Sequence, residues 1–163
     1  MKRTGILLGA VLTLASCAHY STSAGGPGRS SSVAVTMFEN KSLESGLQQA
    51  LTDSLIQGFV TDGALRVLDE DRAHLVLHGE IIDVTEEPFT YSGGTEQFRI
   101  SIILGVSCYD SQDKKPFWEE SGLSGFGVFD ASQDRQEART NGLNDAIRML
   151  VEDVIDRTQV GGW

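Results

Sequence analysis

The chain is poor in basic residues and in cysteine, and it lacks an apolar run long enough to stay in a membrane. Its 163 residues carry 13 Lys and Arg against 23 Asp and Glu, a formal charge of −10. Nucleic-acid binders present a basic footprint to phosphate, so that class of partner is excluded. The same deficit excludes broad electrostatic adhesion to anionic lipid headgroups. Cysteine occurs only at positions 17 and 108. The apolar run from Ile6 to Leu14 is shorter than the roughly 20 residues of a permanent transmembrane helix. No segment of the chain repeats.

What stands at the N-terminus explains that short run. Met1-Lys2-Arg3 is positive, Ile6 to Leu14 is apolar, and Leu14-Ala15-Ser16 ends in small residues. This is the build of a secretory signal. Cys17 follows directly, which resembles a bacterial lipobox, whose cysteine is acylated and becomes the mature N-terminus. Residues 1–16 are therefore expected to be removed, leaving 11 basic against 23 acidic side chains and a net charge near −12. Two or more acyl chains on Cys17 would give stable attachment. Ala18 stands where an aspartate is the usual inner-membrane retention signal. By resemblance to Gram-negative lipoprotein sorting, the destination is the outer membrane, on its periplasmic side.

With Cys17 acylated, Cys108 has no partner for an intramolecular disulfide. It belongs to the alternating series Phe98, Ile100, Ile102, Leu104, Val106, Cys108, which predicts a thiol packed as a small hydrophobe. Residues 17–32 comprise Cys17 and a stretch of small polar residues and glycine, too hydrophilic to order itself. It reads as a flexible tether. Residues 33–159 form one domain with a single core, and 160–163 a short tail.

Within that domain, Val33–Phe38 predicts a strand. A helix follows, with Asn40 or Ser42 as N-cap, an apolar stripe of Leu43, Leu47, Leu51, Leu55 and Phe59, and Gly63 at its C-cap. Arg66–Leu68 and Ala73–Val84 predict extended segments, the second broken by Glu86-Glu87-Pro88. Pairing is allowed to resume near Phe89-Thr90-Tyr91, before a turn at Gly93-Gly94. Phe98–Tyr109 alternates most cleanly, with Arg99, Ser101, Ser107 and Tyr109 on its more open side. After a polar hairpin at 110–114, Pro116–Val128 returns as a strand whose Gly122, Gly125 and Gly127 mark bulges or close backbone approach. A final helix spans about 132–158. The order β-α-β-β-β-α implies an α+β two-layer fold, with about four strands and two long helices on one face.

Other constellations carry no chemistry. His74 and His78 lie on one side of an extended segment, about 13 Å apart, too far to share a metal. Neighbouring carboxylates such as Glu86-Glu87 and Glu119-Glu120 point to opposite faces of a strand. Gly122-Leu123-Ser124-Gly125 lacks the nucleophile-elbow pattern. The chain is therefore read as a non-enzyme without cofactor or metal.

Val33 to Leu47, Ala50 to Ile56, Asp62 to Leu68, Ala73 to Ile81, Phe98 to Tyr109, Phe117-Trp118-Glu119-Glu120 and the terminal helix together resemble the lipopolysaccharide-assembly lipoprotein (LptE) family. The resemblance implies a lipoprotein that plugs and assembles an LptD-type outer-membrane β-barrel, through which lipopolysaccharide reaches the outer leaflet. It also implies contact with lipopolysaccharide through basic residues at strand ends and loops. Here only Arg99, Lys114 and Lys115 suit such contact, since a guanidinium pairs bidentately with phosphate and a lysine offers a point charge. Lysines in a turn equally serve as plain solubilising residues. Two features depart from the family: the tether after Cys17 and the acidic charge. The opening "Phe-Glu-Asn" followed by a helix also resembles the N-terminal domain of TolB and the curli-secretion pore lipoprotein. An envelope scaffold or self-assembling pore subunit is thus the alternative. Tyr91, Tyr109, Trp118, Phe126 and Phe129 are the aromatic candidates for a partner contact.

Overall fold

The structure is a computed structural model and describes residues 32–89, 96–130 and 134–160. Cys17, the signal segment, most of the tether, Thr90, Tyr91 and the Gly93-Gly94 turn lie outside them. The elements are β1 (Ser32–Val35), β2 (Glu39–Asn40), α1 (Leu47–Asp62), β3 (Arg66–Val67), β4 (Leu75–Pro88), β5 (Gln97–Asp110), β6 (Pro116–Asp130) and α2 (Arg135–Val160). They form one mixed sheet in the order β3-β1-β4-β5-β6, with β2 also paired to β4. The class is α+β, as expected. The strand number is six rather than about four, because the short β2 and β3 each add a parallel pairing.

The first apolar segment is split by its own phenylalanine. Thr36 N–H bonds the Leu77 carbonyl at 3.0 Å and Lys41 N–H bonds that of Ile81 at 2.9 Å, so the chain follows β4 on both sides of the break. Between them Phe38 turns into the core, where its N–H meets Thr52 Oγ1 at 3.1 Å. Its ring lies on Gly79, where an added Cβ would sit 2.1 Å from the ring. Only a residue without a side chain leaves that space.

The first helix starts later than the sequence suggests. Asn40 does not cap it: its Oδ1 accepts from Ser42 N–H at 3.0 Å and its Nδ2 donates to the Glu44 carbonyl at 2.7 Å. These local bonds hold residues 41–44 as a loop, the competition that Asn and Ser habitually offer to helix. The helix begins after Gly46, at φ +80°, and Leu43 is left fully exposed rather than on the stripe. Leu47, Leu51, Leu55 and Phe59 are buried as predicted, and Gly63, at φ +75°, ends the helix by donating to the Phe59 carbonyl.

The strand that Glu86-Glu87-Pro88 was expected to break is instead continuous. Glu86 pairs Ile100, Glu87 pairs Arg99 and Pro88 pairs Phe98. A bulge at Ile81–Asp83 shifts the alternation by one residue. Leu75, Leu77 and Ile81 point to the core before it, and Val84 and Glu86 share that side after it. The two carboxylates therefore decorate opposite faces of an intact strand.

On β5 the residues Ile100, Ile102, Leu104, Val106 and Cys108 are buried. Ile102, Leu104, Val106 and Cys108 meet both helices in one core with Leu51, Leu55, Phe59, Leu150 and Val154. Gly125 and Gly127 seat α2: an added Cβ would lie 2.4 Å from the Ala146 carbonyl oxygen and 2.0 Å from that of Gly142. Gly122, at φ +117°, is the bulge residue that β5 skips between Leu123 and Ser121. The helices cross at Gly58, whose added Cβ would fall 2.6 Å from Val151 Cγ1. Trp118 closes the far end by donating from Nε1 to Thr158 Oγ1 at 3.3 Å.

Candidate functional site

With both helices on one side, the other side of the β4–β5–β6 meander is open. At its distal end Arg99 lies between two rings, its guanidinium carbon 4.4 Å from the Phe89 centroid and 5.0 Å from that of Phe126. The planar cation is held by ring faces that attract it electrostatically. Its Nε is buried with no hydrogen-bond partner among the described residues. Phe126 remains 41% exposed, and Ile82 is also exposed on this face. Arg99 thus occupies the open side, where the alternation put it, though the flanking aromatics shield it more than a free surface cation.

Lys114 and Lys115 sit in the hairpin joining β5 to β6, at the other end. Lys114 adopts φ +50°, and Lys115 lies 3.9 Å from Asp113, both side chains well exposed. The hairpin is pinned by Asp110, whose N–H bonds the Lys115 carbonyl at 3.0 Å. Eleven strand steps of about 3.3 Å each separate Arg99 from Asp110, so the cations do not form one anion site. The hairpin end holds a separate depression of about 630 Å³, lined in part by Glu70, Asp71, His78, Tyr109 and Lys114. There His78 Nδ1 lies 3.0 Å from Thr36 Oγ1 and the imidazole meets the Tyr109 ring edge-on. His74 is held through its backbone, its N–H donating to Ser32 Oγ at 3.1 Å.

The distal end carries a polar cluster that sequence reasoning missed. Arg135 pairs Glu86 at 2.5 Å, and Arg139 pairs Glu86 at 3.0 Å and also Glu44. The hydrogen bond to Glu44, then that to Glu86, raises the Arg139 pKa above its usual value. Arg135 also covers the stacked Phe98 and Phe129 rings, 4.7 Å from the first. Glu44 is 95 residues from Arg139 in sequence, and no local signal announces such a pairing. Of the aromatic candidates, Trp118 and Phe129 are core, Tyr109 is half-buried and Phe126 is exposed. Cys108 is fully buried, and burial pushes its thiol up to about 12.

A family model for lipopolysaccharide assembly, LptE, matches residues 30–158. The chain belongs to the LptE family. The match spans every described element, from β1 to nearly the end of α2. No curated relative matches the sequence. Solved structures agree with it in fold. A protein from Chlamydia trachomatis superposes with a TM-score of 0.59 at 12% identity, covering 82% of this chain and 98% of that one. One from Xanthomonas campestris gives 0.55 at 13% identity, covering 83% and 90%. A minor lipoprotein from Acinetobacter baumannii gives 0.53 at 9% identity, covering 79% and 92%. The two-layer frame of this LptE-family chain thus recurs at very low identity. Among its described residues, no helix is long and apolar enough to cross a membrane.

Proposed function

We propose that the protein is a non-catalytic outer-membrane lipoprotein that plugs and assembles an LptD-type β-barrel for lipopolysaccharide insertion. Membership of the LptE family carries this reading. In it, residues 1–16 are the cleaved signal, Cys17 takes the acyl chains on the periplasmic side, and residues 18–32 tether the domain. The open sheet face supports a docking role. It exposes Phe126 beside Arg99 and Ile82 nearer its middle. Interface centres are depleted in charge and rich in aromatics. Arg99 at one end, and Lys114 and Lys115 at the other, are the proposed contacts for lipopolysaccharide phosphates, acting as two separate points.

The test is a mild-detergent pull-down of the tagged, lipidated protein with mass spectrometry of what accompanies it. A large β-barrel recovered in near-equal amount is the expected result. Recovery of the protein alone as a defined multimer would replace the plug by a scaffold or secretion-pore subunit.

A further inference from the structure

Among the described residues, no further strand pairs with the outer edge of β6. β6 is the last strand of the sheet and 15 residues long, whereas the opposite edge, β3, has two. Long edges are normally blunted by charge, proline or bulges. Pro116, Glu119, Glu120 and the Gly122 bulge do this for the first half of β6. The second half has no such protection: Ser121–Phe129 contains no charged residue, in a chain of net charge −10. From Leu123 to Asp130 its pairing with β5 is unbroken.

Two hydrogen bonds fix which groups face outward. Phe89 N–H bonds the Gln97 carbonyl, so odd residues of β5 turn towards β4, and Asp110 N–H bonds the Lys115 carbonyl, so even ones turn towards β6. Ile100, Ile102 and Leu104 therefore bond Gly127, Gly125 and Leu123. By alternation, the N–H and C=O of Ser124, Phe126 and Val128 face away from the sheet. Phe126 and Val128 place their side chains on the open face at the same positions.

We infer that this edge takes up one extended segment of the barrel partner as a seventh strand, by main-chain hydrogen bonding to Ser124, Phe126 and Val128. The inference rests on the barrel-plug reading. A second copy of the chain does not fit. The α2 backbone lies directly on Gly125 and Gly127, and pairing two β6 edges at about 4.8 Å would bring two α2 helices far closer than the usual 8–10 Å. The segment cannot come from the barrel wall, because a closed barrel has both edges of every strand paired. It comes from a lumen loop or terminal stretch of the barrel protein, neutral along its middle, with a Lys or Arg placed to meet exposed Glu119. The match is one of charge: an uncharged run on β6 bounded by acid accepts an uncharged strand bounded by base.

Ser124→Pro and Val128→Pro each delete one outward N–H and leave the β5 ladder intact, since proline is tolerated on edge strands. The full-length lipidated protein is used, with Ser124→Ala as control and circular dichroism to verify folding. Wild type and Ser124→Ala should capture the barrel equally, and each proline variant about tenfold less, the effect of losing one main-chain bond and the pairing beside it. In the complex, the amides of Ser124, Phe126 and Val128 should become protected from hydrogen exchange, a readout that needs no variant. Barrel capture with no such protection and no proline effect would overturn the edge strand and leave the plug reading standing. No barrel capture by wild type would overturn both. Self-association removed by the proline substitutions would overturn the choice of occupant.

Discussion

Cys108 shows how one side chain's surroundings decide its chemistry. A thiol reacts as thiolate, and burial opposite Trp118 holds Cys108 protonated, its pKa pushed up to about 12 from an ordinary 9.0. Native protein at neutral pH should therefore leave Cys108 unalkylated by iodoacetamide, as peptide mass spectrometry would report, and urea should expose it to rapid modification. The same shift sets a pH dependence. The folded state keeps a proton that the unfolded chain gives up, so this contribution to stability is whole below pH 9 and is lost as pH rises towards 12. Unfolding midpoints measured across that window should fall more steeply than those of Cys108→Ala. Cysteine scarcity and strand alternation already announced this residue. Arg99 was half legible: alternation gave its side of the sheet, but Phe89 follows β4 and Phe126 belongs to β6. Their meeting depends on register rather than on neighbouring sequence.

At the scale of elements, α2 and β6 form the tightest fit in the molecule. The helix is 26 residues long, about 39 Å at 1.5 Å per residue, and its backbone rests on two strand glycines. Gly127→Ala would press a methyl group onto the Gly142 carbonyl, a backbone atom that cannot rotate aside. A loss of about 2–3 kcal/mol in urea unfolding is expected, typical of overpacking, against near neutrality for Ser124→Ala on the opposite face. The glycine spacing in the sequence hinted at this approach, and the stripes of both helices were equally readable from periodicity. Boundaries were less so. Asn40 has the chemistry of a helix cap and spends it on a loop. The Glu86-Glu87-Pro88 cluster has the composition of a break but lies in an unbroken strand, because the bulge beside Ile82 puts Glu86 where Arg135 and Arg139 can reach it. The first misreading arises from a competing set of local bonds, the second from partners distant in sequence.

For the molecule as a whole, one large core joins both helices to the central strands, with a small cluster of Ala34, Ala73 and Val76 beside it. A chain organised so should unfold as one unit. Fluorescence of Trp118, which reports the end of α2, and far-ultraviolet dichroism should give coincident urea transitions; separated ones would show that α2 leaves the sheet first. The fold class was legible because alternation and helical periodicity are local patterns. Of the two short strands, β3 falls on the extended segment expected at Arg66–Leu68, whereas β2 was not legible, since a two-residue parallel pairing has no pattern to read. Their placement bears on mechanics. The first strand, β1, is wedged in parallel between β3 and β4, so a pull on the chain ahead of Ser32, directed along the strand, loads its hydrogen bonds together in shear. It cannot peel them apart one at a time. If the domain hangs from an acylated Cys17, as proposed, it is fastened at the point where tension would enter.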